Sequence, residues 1–163
     1  MIDHSFSFLL KEYEVNFNEE FKNFIINYPV DKFEFNDNSF YNTDSNDRLK
    51  NETNNYLKNI FDEHSLYLDY VWVQKYDLKK FHDLHIHGWG DIFSFVWYIN
   101  CTDKSSKTVF FNPGYPYLRT HQLEITPKSG KLILFNGCLP HYVLPNDDNK
   151  RIVISGNLKL WQK

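Results

Sequence analysis

The chain has 163 residues, of which 42% are hydrophobic, 18% aromatic and 24% charged, with a formal net charge of −3. That length fits one domain with a core of its own, and so many aromatic side chains exclude a disordered chain. The negative charge speaks against nucleic acid or an anionic membrane surface as partners, and no run approaches the ~20 apolar residues of a membrane helix.

From the N-terminus, the first residues are acidic and break their apolar run at Lys11, which does not fit a signal peptide. Phe17, Phe21, Phe24, Ile25 and Tyr28 recur at helical spacing and predict a helix over 17–28. After Pro29, a stretch rich in Asn, Asp and Ser over 36–47 reads as a loop and a candidate lid. A second helix is expected over 47–62, with Leu49, Tyr56, Leu57, Ile60 and Phe61 on one face. From Leu66 the periodicity is that of strands: 66–76, 93–100, 108–111, 122–125, 131–135, 141–144 and 151–161 are short runs rich in Val, Ile, Phe, Tyr and Trp. Turn sequences such as Asn112-Pro-Gly-Tyr-Pro116 and Asn136-Gly-Cys-Leu-Pro140 separate them. The expected fold is mainly β with flanking helices, a sandwich, jelly roll or barrel in a single domain 1–163. Residues 1–65 would form a helical N-terminal support and 66–163 the β core. Cys101 and Cys138 are too few for a disulfide framework and are expected to be reduced core residues of a cytoplasmic protein. The chain has no alanine and three arginines against fifteen lysines, the mark of AT-rich coding, so each arginine invites a question.

Chemistry concentrates in two places. The first is His82-Asp83-Leu84-His85-Ile86-His87. Residues i and i+2 of a strand share a face, so His85 and His87 can aim two imidazoles into one space. The second is His141, which follows His87 by 54 residues, directly behind an apolar run and a turn. Ten residues on, Arg151 opens the apolar strand 151–161. An arginine there is costly if buried without a partner, and its planar fork suits a carboxylate. Taken singly, these residues also read as a polar strand end and an edge arginine in water; together they form a rarer constellation. Aromatic side chains of Trp89, Phe93, Phe95 and Trp97 could dry a pocket, although all but Trp89 read as core. His82 is either a neighbour of the site or exposed, and His4, His64 and His121 read as surface residues. Cys138 and His141 lack the second pair that a structural zinc site needs.

In its order of His-x-(acid), a distal His and a basic residue about ten beyond, the chain resembles the iron(II)/2-oxoglutarate-dependent oxygenases, with the prolyl 4-hydroxylase-like branch the best fit. Tyr76, nine residues before His85, matches that branch's Tyr-x8-His-x-Asp. A closer likeness is to the small 2-oxoglutarate/iron(II) oxygenases of bacteria and marine phages. It rests on His85-x-His87, Ser94-Phe-Val-Trp-Tyr98, Phe110-Phe-Asn-Pro113 and Arg151-Ile-Val-Ile-Ser155-Gly-Asn157, and it covers residues 66–161. It implies a double-stranded β-helix (a cupin-like jelly roll), Fe(II) and 2-oxoglutarate as cofactors, and dioxygen-dependent hydroxylation of a C–H bond with release of succinate. His85 and His141 would bind the iron, and Arg151 would pair with the distal carboxylate of 2-oxoglutarate, helped by Ser155 and Tyr98.

The sequence departs from the wider superfamily in two positions. His87 stands where a carboxylate is usual, and Val153 replaces the first Ser of Arg-x-Ser. Strand parity favours His87 as third ligand, with Asp91 or Asp83 the alternative. Three neutral imidazoles would leave the metal a full unit more positive than two and a carboxylate. The implied substrate is a peptidyl proline or another residue of a protein, then a free amino acid or small metabolite, in the cytoplasm of a host cell if a phage encodes the chain. Two other readings stand beside it: an aromatic-rich jelly roll that binds without catalysis, and a cupin-like three-histidine metalloprotein without 2-oxoglutarate.

Overall fold

The computed structural model describes residues 10–30, 40–41, 47–88, 92–112 and 121–161. Its elements are β1 (Leu10–Glu14), α1 (Glu19–Ile26), β2 (Phe40–Tyr41), α2 (Asp47–Glu63), β3 (Leu66–Tyr76), β4 (His82–His85), β5 (Ile92–Asn100), β6 (Thr108–Phe111), β7 (Gln122–Ile125), β8 (Lys131–Asn136), β9 (His141–Val143) and β10 (Arg151–Leu160). All pairings are antiparallel. They build a six-stranded sheet in the order β1-β8-β5-β10-β3-β2 and a four-stranded sheet in the order β4-β9-β6-β7.

The larger sheet is covered on both faces, and strand parity sorts its residues between two cores. Val71 and Val73 of β3, Phe95, Trp97 and Ile99 of β5, Leu132 and Leu134 of β8, and Ile152 and Ile154 of β10 face the helices. Their partners there are Phe21 and Ile25 of α1 and Leu49, Leu57 and Phe61 of α2. The alternate residues Tyr76, Val96, Tyr98, Ile133, Phe135 and Val153 meet Phe110, Ile125 and Val143 of the smaller sheet. Covering both faces explains why these strands read as continuous apolar runs rather than as alternation. Gly156 interrupts β10 because a Cβ there would lie 2.5 Å from the Phe95 ring and 2.6 Å from the Tyr70 carbonyl oxygen.

Both expected helices are present. Asn18 sets the start of α1, its side-chain oxygen accepting the Phe21 N–H at 2.8 Å. The N-terminal third is more than helical support, since β1 and β2 add strands at both edges of the larger sheet. β1 is hard to recognise because an edge strand carries charge: Lys11, Glu12 and Glu14 face solvent, where they meet Glu63, Lys131 and Lys128. Cys101 and Cys138 are free and half-buried; Cys101 packs against the core between the sheets as expected, whereas Cys138 lies in the turn after β8. The expected lid over 36–47 lies outside the described residues, apart from the backbone of Phe40–Tyr41 and the start of α2.

Phe61 is 1% exposed and packs on Phe95 with ring centroids 5.4 Å apart, fastening α2 to the larger sheet. Phe61→Ala is expected to cost about 3–5 kcal/mol of stability, read from the urea midpoint at an unchanged m value.

Candidate metal centre

β4 pairs with β9 so that His85 lies opposite His141, with an irregular register between His82 and His85. Strand β4 ends at His85, and His87 is held beyond it by its backbone N–H to the Gly137 carbonyl at 2.8 Å. The three side chains converge: each of His85, His87 and His141 offers one ring nitrogen, and these lie within 4.8 Å of one another. His87 Nε2 and His141 Nε2 are 3.2 Å apart. Two nitrogens each ~2.1 Å from one ion at a right angle would be ~3 Å apart, so the spacing suits adjacent ligands.

The tautomers suit the same purpose. His85 Nδ1 donates to the Asp83 carbonyl at 2.7 Å and His141 Nδ1 to the Leu139 carbonyl at 2.8 Å. Fixing the proton on Nδ1 leaves the Nε2 lone pair of each ring free to bind a metal. Burial pushes His87 down to about 4, assisted by the charge of His85 and opposed by a hydrogen bond with Asn157. Burial, with the charges of His85 and His87, also holds His141 well below the usual histidine value. At neutral pH these two rings are therefore neutral, as metal ligands must be. No carboxylate joins the cluster among the described residues, and Asp83 is exposed. Asp91 and Trp89 lie outside the described residues.

The histidines line one wall of a narrow cleft, with Trp72, Gln74 and Tyr76 of β3, Thr108 of β6, and Arg151, Val153 and Ser155 of β10. Arg151 is 1% exposed, yet no carboxylate pairs with it among the described residues. Its Nε donates to the Ser106 carbonyl at 3.1 Å and its Nη2 to the Thr108 hydroxyl at 2.9 Å. The guanidinium lies over the Tyr76 ring at 4.1 Å. Nη1 has no partner. Arg151 lines the cleft, and a buried cation with an idle donor suits the chemistry of an anion such as a carboxylate.

Ser155 stands on this wall. Tyr98 does not line it: that ring is fully buried beside Arg151, which also bears on its hydroxyl, and the hydroxyl bonds Thr108 at 2.6 Å. His82 belongs to the cleft. His121 is exposed as expected, whereas His64 is largely covered and bonds the Tyr13 hydroxyl at 2.7 Å. His4 lies outside the described residues. The sequence reading missed Gln74, Thr108 and Trp72. The available signal was a polar residue at Gln74 within an apolar strand, in phase with Trp72 and Tyr76.

No protein-family model and no curated protein matches the sequence. Solved structures do. HygX from Streptomyces hygroscopicus, with nickel, 2-oxoglutarate and hygromycin B bound, aligns over 93% of this chain and 82% of that one at 10% identity and TM-score 0.72. A prolyl-4-hydroxylase from Pseudomonas putida aligns over 94% and 93% at 14% identity and TM-score 0.65. The fold is that of the 2OG-Fe(II) oxygenases, a double-stranded β-helix. An oxidoreductase of the 2OG-Fe(II) oxygenase family from Burkholderia pseudomallei is larger: the alignment covers 58% of this chain but 43% of that one, at 15% identity and TM-score 0.50.

Arg151 is held from behind by a loop network. The Asn146 side-chain oxygen accepts the Ser106 N–H at 2.8 Å, and the Asn146 amide bonds Asp148 Oδ1 at 2.9 Å. Burial works against the Asp148 carboxylate, but hydrogen bonds from the Thr102 hydroxyl, the Lys150 N–H, the Ser105 hydroxyl and Asn146 outweigh it and hold its pKa below the usual value. A depressed folded pKa stabilises above the unfolded value of ~3.9, and that contribution is lost as pH falls through the folded value. Asp148→Asn should therefore lower stability at pH 7 and narrow its gap to the parent in acid, measured by urea denaturation at both pH values.

Proposed function

We propose that the protein is an Fe(II)- and 2-oxoglutarate-dependent dioxygenase that hydroxylates a C–H bond. The observation that carries this reading is buried Arg151, whose Nη1 has no hydrogen-bond partner among the described residues, lining the same cleft as three converging imidazoles. Likeness of fold to proteins with nickel and 2-oxoglutarate bound supports it. An iron ion with 2-oxoglutarate, when bound, would supply the oxidising chemistry that puts an oxygen atom of O2 into a C–H bond as 2-oxoglutarate becomes succinate.

In this reading His85, His87 and His141 hold the metal, each through one ring nitrogen. Arg151 takes the distal carboxylate of 2-oxoglutarate on its idle donor, with Thr108 and Ser155 beside it and Tyr98 acting through Thr108. Tyr76 supports the guanidinium from below. Val96, Val143 and Val153 supply apolar lining that keeps water from the reacting groups. The substrate is a peptidyl proline or another residue of a protein, supported by the likeness to a prolyl-4-hydroxylase. A small molecule is the second class, supported by the likeness to the hygromycin-binding HygX. The reading extends to a reducing cytoplasm, of the host cell if a phage encodes the chain, in keeping with two free cysteines. Among the described residues, no helix is long and apolar enough to cross a membrane.

A second reading has its own support. An all-imidazole donor set without a carboxylate also suits a cupin-like metalloprotein that binds no 2-oxoglutarate.

Anaerobic addition of 2-oxoglutarate to Fe(II)-loaded protein should raise a weak visible charge-transfer band. Losing the charged partner of a buried carboxylate costs about 2–5 kcal/mol, so Arg151→Ala should weaken that binding by ~30-fold or more. His141→Ala should abolish metal uptake. Metal uptake without the band would favour the cupin-like reading, and no metal uptake at all would favour the binding module.

A further inference from the structure

We propose that His82 is a positioning residue of the centre: oriented by Gln74, its ring holds the His85 imidazole in the attitude that can bind a metal ion. The inference rests on the three-histidine metal reading and adds to it a fourth histidine that is not a ligand.

The three converging histidines differ in their surroundings, although His85 also meets the rings of His87 and His141 at 5.2 and 4.2 Å. His141 is 3% exposed and packs against Phe110 and Phe135, with ring centroids 5.3 and 4.9 Å away. His87 packs against Trp72 at 5.7 Å and Phe135 at 6.0 Å. His85 is only half-buried and sits at the end of a four-residue strand at the edge of the smaller sheet. Its Nδ1 contact with the Asp83 carbonyl fixes the tautomer but anchors the ring to an exposed residue of the same short strand.

His82 supplies a firmer wall. Its ring lies parallel to that of His85, with centroids 3.9 Å apart and planes 14° from each other. A rotation of the His85 ring toward this side would drive it into the His82 plane. His82 in turn is tied across the barrel, since Gln74 Nε2 donates to His82 Nδ1 at 3.0 Å. Gln74 is 3% exposed and lies within β3, opposite Val153 of β10 and Tyr41 of β2. The edge strand thus borrows its stiffness from the larger sheet. The irregular register between His82 and His85 makes this possible: residues three apart in a regular strand would point to opposite faces. With Nδ1 engaged by Gln74 and its nitrogens outside the cluster of three, His82 positions rather than ligates.

The test is anaerobic Co(II) titration of the full chain, followed through the visible d–d bands, with His82→Ala, His82→Phe and Gln74→Leu beside the parent. Thermal unfolding of each metal-free protein reports the fold separately. Removing a partner that orients a metal ligand typically lowers affinity ~10–100-fold, and His82→Ala should do so and alter the band shape. His82→Phe keeps a flat ring on His85 and should recover most of the affinity, with Gln74→Leu in between. Should His82→Ala fail to fold, the comparison of His82→Phe with the parent still decides. The proposal is overturned if His82→Ala binds Co(II) as tightly as the parent. It is equally overturned if a folded His82→Phe has lost ~10-fold or more. A parent that takes up no Co(II) overturns the metal reading itself, a failure seen before any variant is compared.

Discussion

A guanidinium that is 1% exposed with no counter-charge among the described residues is the constraint around which the cleft is built. Removing such a cation from water costs several kcal/mol unless donors are met and charge is balanced. The fold satisfies it in part, through the Ser106 carbonyl, the Thr108 hydroxyl and the faces of Tyr76 and Tyr98. One donor is left over among the described residues, on a residue that lines the histidine cleft. The proposed 2-oxoglutarate would supply the missing counter-charge.

The architecture brings this charge to the three converging histidines, with parity along β3 and β10 setting the inward face. β10 lies between β5 and β3, so Ile152 and Ile154 are committed to the helices while Arg151, Val153 and Ser155 face inward. β3 contributes Trp72, Gln74 and Tyr76 in the same way. The smaller sheet then brings His85 and His141 opposite each other, and the chain after β4 folds His87 back onto them. The loop network of Asn146, Ser106 and Asp148 holds the first residue of β10 in place. Each part has a structural task and a functional one, and both are served by the same hydrogen bonds.

The sequence carried most of this on its face, for identifiable reasons. Long strands with both faces buried are unmistakable apolar runs, and the histidine pair spaced by two drew notice, although β4 ends at His85 and His87 joins from the chain beyond it rather than by strand parity. Arg151 was conspicuous because arginine is rare here and because the residues after it are apolar. What escaped notice has equally physical causes. β1 alternates charge at a sheet edge and so lacks an apolar signature. Gln74 and Thr108 are single polar residues whose meaning depends on a partner across the barrel. His82 was ambiguous because regular parity would point it away from His85, and only the irregular register turns it inward. Tyr98 shows the converse limit: the resemblance offered it for the carboxylate, but its ring is buried against Thr108 and Arg151 and does not line the cleft.

The most direct measurement is an anaerobic crystal structure of the full chain with Mn(II) and 2-oxoglutarate. The expected result is one ion bound by nitrogens of His85, His87 and His141, with a carboxylate of 2-oxoglutarate on Nη1 of Arg151. An ion held by a protein carboxylate in place of His87, or an Arg151 paired with a protein carboxylate while 2-oxoglutarate binds elsewhere, would contradict it.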